Sequence, residues 1–267
     1  MEFIGYLCAI AVGISLGIFG SGGSILTVPI MVYFFSINPV DATGYSLFVV
    51  ALTSAVGGGT YILKKLVNFR TVLLFGLPSI LSVFITRKFI VPLIPEYIFS
   101  GSSISFSSDK FIMCLFALLM LIVSFNMIGN TIHSATSNND EQDADYFRLL
   151  ITGFLAGILT GFFGIGGGFI IIPALVLYAK IPLRMSVGTS LLIISFNSIC
   201  GFTEEVMQKH SMINYTFLFV FSLCSIAGIF LGSSLTMKLN TIRLKKMFGW
   251  AMLILGICVM LKELSIY

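Results

Sequence analysis

Long apolar runs alternate with short polar stretches along almost the whole chain. Runs of about 20 apolar residues have the length that an α-helix needs to cross a hydrocarbon core. They are continuous, whereas the strands of a membrane β-barrel alternate in shorter segments. The pattern therefore predicts an all-α polytopic membrane protein. The apolar runs are Phe3–Phe35, Gly44–Leu63, Thr71–Ile94, Phe111–Ile132, Phe147–Ala179, Met185–Met207, Tyr215–Leu239 and Met247–Leu261.

Composition and charge agree with this class. Charged residues make up 10% of the chain and hydrophobic residues 57%, whereas soluble domains carry about 25% charged residues. The net charge of +4 comes from Lys and Arg at the ends of apolar segments, which is typical of membrane-facing loops. No basic cluster is interleaved with aromatic residues, so nucleic acid is not expected as a partner.

Two stretches in different halves of the chain are near copies of each other. They read "GIFGSGGSILTVP" at Gly17–Pro29 and "GFFGIGGGFIIIP" at Gly161–Pro173. A shift of 144 positions aligns them, and the same shift aligns Ser46 with Ser190. A colinear series of matches indicates an internal duplication. We predict two homologous repeats of about four hydrophobic segments each, at residues 1–132 and 147–267, joined by a polar linker at 133–146.

The relative orientation of the repeats follows from the basic loops. If the repeats are inverted, the loops Lys64–Arg70 and Lys238–Lys246 lie on one side of the membrane, as the positive-inside rule requires. Parallel repeats, the alternative, would place these loops on opposite sides and largely cancel the bias. We therefore predict inverted repeats.

The first apolar run, Phe3–Phe35, is too long for one straight crossing. Its 33 residues would make a helix of about 50 Å. We predict broken or re-entrant helices, interrupted at Gly20–Gly23 and at Gly164–Gly168, with new helices beginning at about Ser24 and Phe169. Interrupted apolar segments in two halves mark binding sites in secondary transporters. Helix N-termini offer free N–H groups and positive potential to anions. The alternative is that the glycines allow close helix packing.

Polar residues recur on the helix that follows each glycine motif. Ser46 and Thr53 are seven residues apart, as are Ser190 and Asn197, so each pair shares a helical face. Their hydroxyl and amide groups can donate to an oxyanion, although interhelical hydrogen bonding uses the same residue types. The candidate substrate-binding residues are Ser21, Gly22, Gly23, Ser24, Ser46, Thr53, Gly166, Gly167, Gly168, Thr189, Ser190 and Asn197, with Pro29 and Pro173 as structural motif residues.

Charged residues lie at the ends of the apolar segments. Asp41 and the Glu204–Glu205 pair do so, which argues against a buried carboxylate relay. Arg87 and Lys88 fall late in the third segment, and either form a surface turn or steer anions to an entrance. The sequence predicts no metal site, no cofactor and no catalytic residue. Anions should be selected by backbone N–H groups and hydroxyls, without a salt bridge to Arg or Lys.

The doubled motifs resemble the signature of the sulfite exporter TauE/SafE family, also described as the toluene-sulfonate-uptake permease (TSUP) family. The resemblance rests on "GIFGSGGSILTVP" with "DATGYSL" and on "GFFGIGGGFIIIP" with "MSVGTSLL", and it covers nearly the whole chain. It implies a permease for sulfite or organosulfonates in a prokaryotic cell (inner) membrane. The first copy departs from the fuller glycine pattern at Ser21 and Ser24. The motif residues that carry over are Gly22, Gly23, Pro29, Ser46, Gly166, Gly167, Gly168, Pro173, Thr189 and Ser190.

The sequence leaves three functions to compare. The first is a secondary transporter, as an exporter, of a small sulfur-containing anion. The second is a passive anion channel, which an open file of polar groups along the Ser46 and Ser190 faces would favour. The third is a sulfur relay that uses Cys200, one of five cysteines in apolar segments. The expected partners are the anion, the lipid bilayer and, as an option, a second copy of the chain.

Overall fold

The chain folds into a bundle of long helices. The structure is a computed structural model that describes residues 2–20, 23–93, 97–101, 104–129, 146–163, 171–172, 175–176, 178–208, 213–236, 246, 249–250, 253–254 and 256–262. Its longer helices are α1 (Glu2–Phe19), α2 (Ser24–Phe35), α3 (Pro39–Leu63), α4 (Phe69–Ile85), α5 (Ser108–Gly129), α6 (Tyr146–Phe163), α7 (Leu183–Gln208) and α8 (Tyr215–Thr236). The π-helical turn Thr86–Ile90 and the 3₁₀ turn Val91–Leu93 extend α4, and a β-hairpin of Tyr97–Gly101 (β1) and Ile104–Ser107 (β2) precedes α5.

Several of these helices are long and apolar enough to cross a membrane. Among the described residues there are five such spans. α4 also exposes Leu73, Leu77 and Leu81, spaced by four residues along one face. An outward stripe of large apolar side chains is unfavourable in water and suits contact with lipid. These findings confirm the predicted polytopic helical membrane protein. The spans are Pro39–Leu63, Phe69–Ile90, Tyr146–Phe163, Arg184–Met207 and Tyr215–Leu235.

Asparagine side chains cap the N-termini of α3 and α4. Asn38 precedes α3, and its Oδ1 accepts a hydrogen bond from the N–H of Val40 at 2.9 Å. Asn68 precedes α4 in the same way and accepts from the N–H of Thr71 at 3.1 Å. Such caps satisfy N–H groups that the helix leaves free. The connections before α3 and α4 are short, at residues 36–38 and 64–68.

α1 and α2 form an antiparallel helical hairpin within the first glycine motif. α1 ends at Phe19, Gly20 has φ +68°, and α2 begins at Ser24. The backbone of Gly23 packs against Ser15 of α1, while Gly5 near the start of α1 faces the ring at the end of α2. The predicted interruption of the first apolar run is therefore confirmed. The second predicted interruption, Gly164–Gly168, lies outside the described residues.

Two glycine seams join helices that are distant in sequence. Gly13 of α1 packs on the backbone of Ser225 in α8, and Gly17 packs one turn further along the same helix. Gly157 and Gly161 of α6 pack on α4 in the same manner. The sequence separation between partners is constant along each seam, so both pairs of helices run parallel. Glycine allows such close backbone approach in a membrane.

α3 and α7 form the centre of the bundle and run antiparallel. Leu47 packs on Gly201 near one end of the pair, and Gly58 packs on Leu192 near the other. Between them, the hydroxyl of Ser195 donates to the carbonyl of Ala51 at 3.3 Å. α4 packs along α7 and α8 packs along α3, so both outer helices are fixed to this central pair.

The helix directions have the form that inverted repeats require. α8 runs with α3, because Asn214 is bonded to Tyr45 at the start of α3 and Ile229 packs on Gly57 near its end. α4 runs with α7. The sequence aligns α1 with α6, α3 with α7 and α4 with α8. The two helices of each aligned pair run in opposite directions. The duplication itself and its boundaries stay predictions from the sequence, since most of the 133–146 linker lies outside the described residues.

The glycine seams predict a stability difference between matched Gly→Ala variants. A Cβ at Gly13 or Gly157 would collide with backbone of the partner helix, whereas a Cβ at Gly59 of α3 would meet nothing within 4 Å. We expect Gly13→Ala and Gly157→Ala to lose about 1–3 kcal/mol of folding free energy. Gly59→Ala should be neutral or stabilising. Unfolding in detergent measures this, and equal effects at all three positions would contradict the packing.

Candidate functional site

The tip of the α1–α2 hairpin is held by residues of both central helices. The carbonyl of Gly20 lies 3.4 Å from the hydroxyl of Ser190 in α7, and Val187 packs against the same glycine. The hydroxyl of Tyr61, near the end of α3, donates to the carbonyl of Gly17 at 3.3 Å. The left-handed φ of Gly20 would strain most other residues at this position. Gly20 is thus buried and lies against Ser190.

The start of α2 lies at this enclosed tip. Gly23 precedes the helix, and no described side chain caps it. The predicted site residues Ser21 and Gly22 lie outside the described residues, and Ser24 is described by its backbone as the first residue of α2. Pro29 lies inside α2 and is buried, so the helix continues through it. The positive end of α2 therefore points toward the hairpin tip.

The polar stripe predicted on α3 and α7 is fully buried. Ser46, Thr53, Ser190 and Asn197 all have an exposed fraction of 0%. The three hydroxyls donate to carbonyls of their own helices, at 2.7–2.8 Å. Such bonds satisfy the hydroxyls in an apolar surrounding. Each hydroxyl would have to rotate to donate to a bound anion.

The structure does not bring Ser46 and Ser190 together. In the register of α3 against α7, Ser46 lies opposite a position about twelve residues further along α7 than Ser190. At about 1.5 Å per residue this separates the two serines by about 18 Å along the helix pair. The two serines therefore lie near opposite ends of the α3–α7 pair. We refer to the surroundings of Ser190 as the first candidate half-site and to those of Ser46 as the second.

Two other candidates make contacts between helices. The hydroxyl of Thr189 accepts a hydrogen bond from the backbone N–H of Asn68 at 3.0 Å, which ties the α3–α4 connection to α7. The amide Nδ2 of Asn197 donates to the hydroxyl of Ser79 at 2.6 Å. The Oδ1 of Asn197 has no hydrogen-bond partner among the described residues. Asn197 thus places an available acceptor at mid-depth between α4 and α7.

A buried ion pair is the feature that sequence reasoning missed. Nη1 of Arg87 lies 2.8 Å from Oε2 of Glu205, and the two residues are 1% and 5% exposed. This corrects both interpretations of Arg87, as a surface turn and as a steering group, and it shows that Glu205, which the sequence places at a segment end, is buried. Lys88, the neighbouring cation, is exposed and lies 5.0 Å from the ring centre of Phe84. The π-helical turn that begins at Thr86 carries Arg87 inward.

The ion pair lies beside the second half-site. A Cβ on Gly44 of α3 would lie 2.5 Å from the carboxyl carbon of Glu205, so glycine makes room for the carboxylate. Ser46 follows two residues later, on a different face of the same helix. Gly161 of α6 packs on Thr86, so the second glycine motif begins close to the ion pair. Of the predicted residues of that motif, Gly166, Gly167, Gly168 and Pro173 lie outside the described residues.

Buried polar groups without partners continue from the ion pair toward Asn197. The hydroxyls of Ser82 and Thr86 on α4 and of Ser198 on α7 have no hydrogen-bond partner among the described residues. Buried polar groups are normally satisfied by protein or water. A seam of available polar groups therefore runs between α4 and α7.

Other chemistry has little support in the described part of the chain. No group of His, Cys, Asp and Glu residues there could hold a metal ion. The sulfur of Cys200 lies 4.0 Å from the carbonyl oxygen of Ile80 on α4. This contact places the thiol against a neighbouring helix and identifies no redox partner.

Comparisons with known proteins agree with a multi-pass membrane transporter that is not an enzyme. The model of the sulfite exporter TauE/SafE family matches residues 5–259. The chain belongs to this family. No solved structure gives a significant match to it.

Similar proteins come from several organisms. A probable membrane transporter protein of Xylella fastidiosa (strain Temecula1) is 31% identical, over 93% of this chain and 90% of the relative. Probable membrane transporter protein MJ0441 of Methanocaldococcus jannaschii is 26% identical, over 94% and 92%. Probable membrane transporter protein YunE of Bacillus subtilis is 26% identical, over 88% of both chains. The similarity therefore extends over most of the length of these relatives.

The buried pair predicts non-additive effects on stability. Arg87→Ala or Glu205→Ala alone leaves an uncompensated buried charge, and each should cost about 3–5 kcal/mol. The double variant should lose clearly less than the sum of both. Lys88→Ala, which removes the exposed neighbouring cation, serves as the control and should have little effect. Unfolding in detergent measures these values. Additive losses at Arg87 and Glu205 would show that the ion pair does not form.

Proposed function

We propose that the chain is a secondary transporter, working as an exporter, of a small sulfur-containing anion such as sulfite or an organosulfonate. The anion binds between the two halves, where interrupted helices meet α3 and α7. Membership of the sulfite exporter TauE/SafE family supports the substrate class. The observation that carries the site is the enclosed hairpin tip at Gly20, packed on Ser190 of the opposite half. A second copy of the chain stays a predicted partner.

The donors around the two half-sites suit an oxyanion. Sulfite and sulfonates present three oxygen atoms, and each can accept hydrogen bonds. The first half-site offers the hydroxyl of Ser190, the hydroxyl of Tyr61 and the N-terminus of α2. The second offers the hydroxyl of Ser46 on α3, and the buried Arg87–Glu205 pair lies against Gly44 of the same helix. Charge-assisted hydrogen bonds to such donors are short and comparatively strong.

The burial of the polar stripe favours a carrier over a passive channel. A channel needs a file of polar groups that is open at both ends of the protein. Ser46 and Ser190 are fully buried, and their hydroxyls are bonded to their own helices. An anion can reach them after a conformational change, which is the behaviour of a carrier.

Uptake into proteoliposomes tests the substrate class. Vesicles that contain the purified protein should accumulate labelled sulfite, sulfoacetate or taurine faster than protein-free vesicles. Labelled choline, a cation of similar size, serves as the control and should not be taken up. Uptake of none of the sulfur compounds, by protein that is folded and inserted, would overturn the proposal.

Ser190→Ala should weaken anion binding without a comparable loss of stability. A hydrogen bond to a charged group contributes about 1.5–3 kcal/mol, so the affinity should fall at least about tenfold. Ser195→Ala is the matched control, because Ser195 lies on the same helix and its hydroxyl donates to Ala51 instead of facing the hairpin. Equilibrium binding of sulfite in detergent measures the effect. Equal losses in both variants would assign Ser190 to packing alone.

A further inference from the structure

We propose that the transported anion, which occupies the two half-sites at different stages of transport, binds together with one proton when it reaches the Arg87–Glu205 pair. The anion takes the place of the Glu205 carboxylate on the Arg87 guanidinium, and the carboxylate takes up the proton. This proposal rests on the proposed function for the class of anion. It adds the coupling ion and the residues that exchange partners.

The geometry of the pair is that of an occupied anion site. Nη1 of Arg87 contacts Oε2 of Glu205 at 2.8 Å, with both side chains almost fully buried. The guanidinium is a planar fork of donors that matches the oxygens of carboxylates and similar oxyanions. A sulfonate or sulfite group presents oxygens with comparable spacing. The Glu205 carboxylate thus occupies the position that a transported oxyanion would need.

The pair is also where the second glycine motif begins. Thr86, the residue before Arg87, contacts Gly161 near the end of α6. Ser46 lies on α3 two residues after Gly44, which contacts the Glu205 carboxylate. An anion on Arg87 would therefore lie close to the start of the second glycine motif, while Ser46 lies on a different face of α3 from Gly44.

Unpartnered polar groups lead away from this position. The hydroxyls of Thr86 and Ser82 on α4, and the Ser198 hydroxyl and Asn197 Oδ1 on α7, are buried without hydrogen-bond partners among the described residues. The parallel register of α4 and α7 places them between Asn197 and Arg87. They can hold water or a displaced carboxyl group. The site therefore has polar groups available for both the anion and its water.

Proton uptake follows from the burial of Glu205. Once an anion holds Arg87, an ionised Glu205 would remain buried without its counter-ion, beside a second negative charge. Buried carboxylates in that situation become neutral. One proton passes from water to a carboxylate oxygen of Glu205, and Arg87 keeps its own protons. Anion plus proton therefore replace the ion pair with no change in the net charge of the buried site for a monoanion.

Other titratable groups lie near the pair and must be separated from it experimentally. Within one helical turn of Arg87, Glu205 or Gly44, the described residues include Asp41 and Tyr45 on α3, Lys88 after α4, and Glu204 on α7. The last turn of α6, "LTGFF", carries no charged residue. Glu204 is the one of these that is buried beside Glu205. It is therefore the necessary control for the assignment to Glu205.

The other half of the protein has no such pair at the corresponding place. Shifts of 144 and 146 positions align Glu205 with Tyr61 and Arg87 with Ser233. Tyr61 bonds to Gly17 at the first hairpin, whereas Glu205 bonds to Arg87. Coupling to a proton should accordingly depend on the second half-site.

Proton uptake on binding tests the proposal in the unmodified protein. Methanesulfonate is the probe, because its charge does not change near neutral pH. Adding it to the purified protein in weakly buffered detergent should remove one proton from solution per anion bound. Its affinity should fall as the pH rises, by about tenfold per pH unit where one proton is taken up per anion bound. Binding without proton uptake would overturn this proposal and leave the proposed function standing. If neither methanesulfonate nor sulfite, sulfoacetate or taurine binds, the proposed function fails instead.

Variants assign the proton to Glu205. Glu205→Gln, which resembles the protonated carboxyl group, should bind methanesulfonate with no proton uptake and no dependence on pH. Glu204→Gln and Lys88→Gln are the matched controls and should keep the uptake of one proton. Arg87→Ala should reduce binding at least tenfold. Proton uptake that persists in Glu205→Gln would contradict the assignment. If Arg87→Ala does not fold, the number of protons that the unmodified protein takes up per anion still decides the proposal.

Discussion

Backbone groups that leave a helix inside a membrane must find partners other than water, because each unsatisfied group costs several kcal/mol in hydrocarbon. The first apolar segment is interrupted between α1 and α2. The tip of the hairpin that these helices form must therefore be enclosed by protein. Ser190 and Tyr61 from the central helices enclose it. The glycine seams that bring α1 against α8 and α6 against α4 complete this arrangement. The candidate site and the helix packing therefore both depend on giving partners to backbone groups inside the membrane.

Much of the fold follows from the sequence. Continuous apolar runs and a low charge content predict helices in a membrane, and the excess length of Phe3–Phe35 predicts the interruption at Gly20–Gly23. These features depend on local chemistry, namely helix length and the conformational freedom of glycine. The register of α3 against α7 is a tertiary property. It separates Ser46 from Ser190, which helical spacing within one segment could not indicate.

The Arg87–Glu205 pair shows most clearly what sequence reasoning lacked. Each residue lies near the end of an apolar segment, where charged side chains normally reach water. Burial of both depends on contacts between segments: Gly44 leaves space for the carboxylate, and the π-helical turn directs the guanidinium inward. A single sequence contains the residues but not the register that pairs them. The positions that the sequence aligns with Arg87 and Glu205 hold Ser233 and Tyr61, so the pair has no charged counterpart there.

Counterflow tests most directly whether the protein is a carrier with an enclosed anion site. Proteoliposomes are loaded with unlabelled sulfite and diluted into a trace of labelled sulfite, with the membrane potential and the pH gradient set to zero. A carrier should accumulate label transiently above its equilibrium level. The reason is that unlabelled sulfite inside the vesicle competes with the label for the binding site and so slows the exit of the label. A channel passes labelled and unlabelled anions independently. Label that rises only to equilibrium, without an overshoot, would contradict this account.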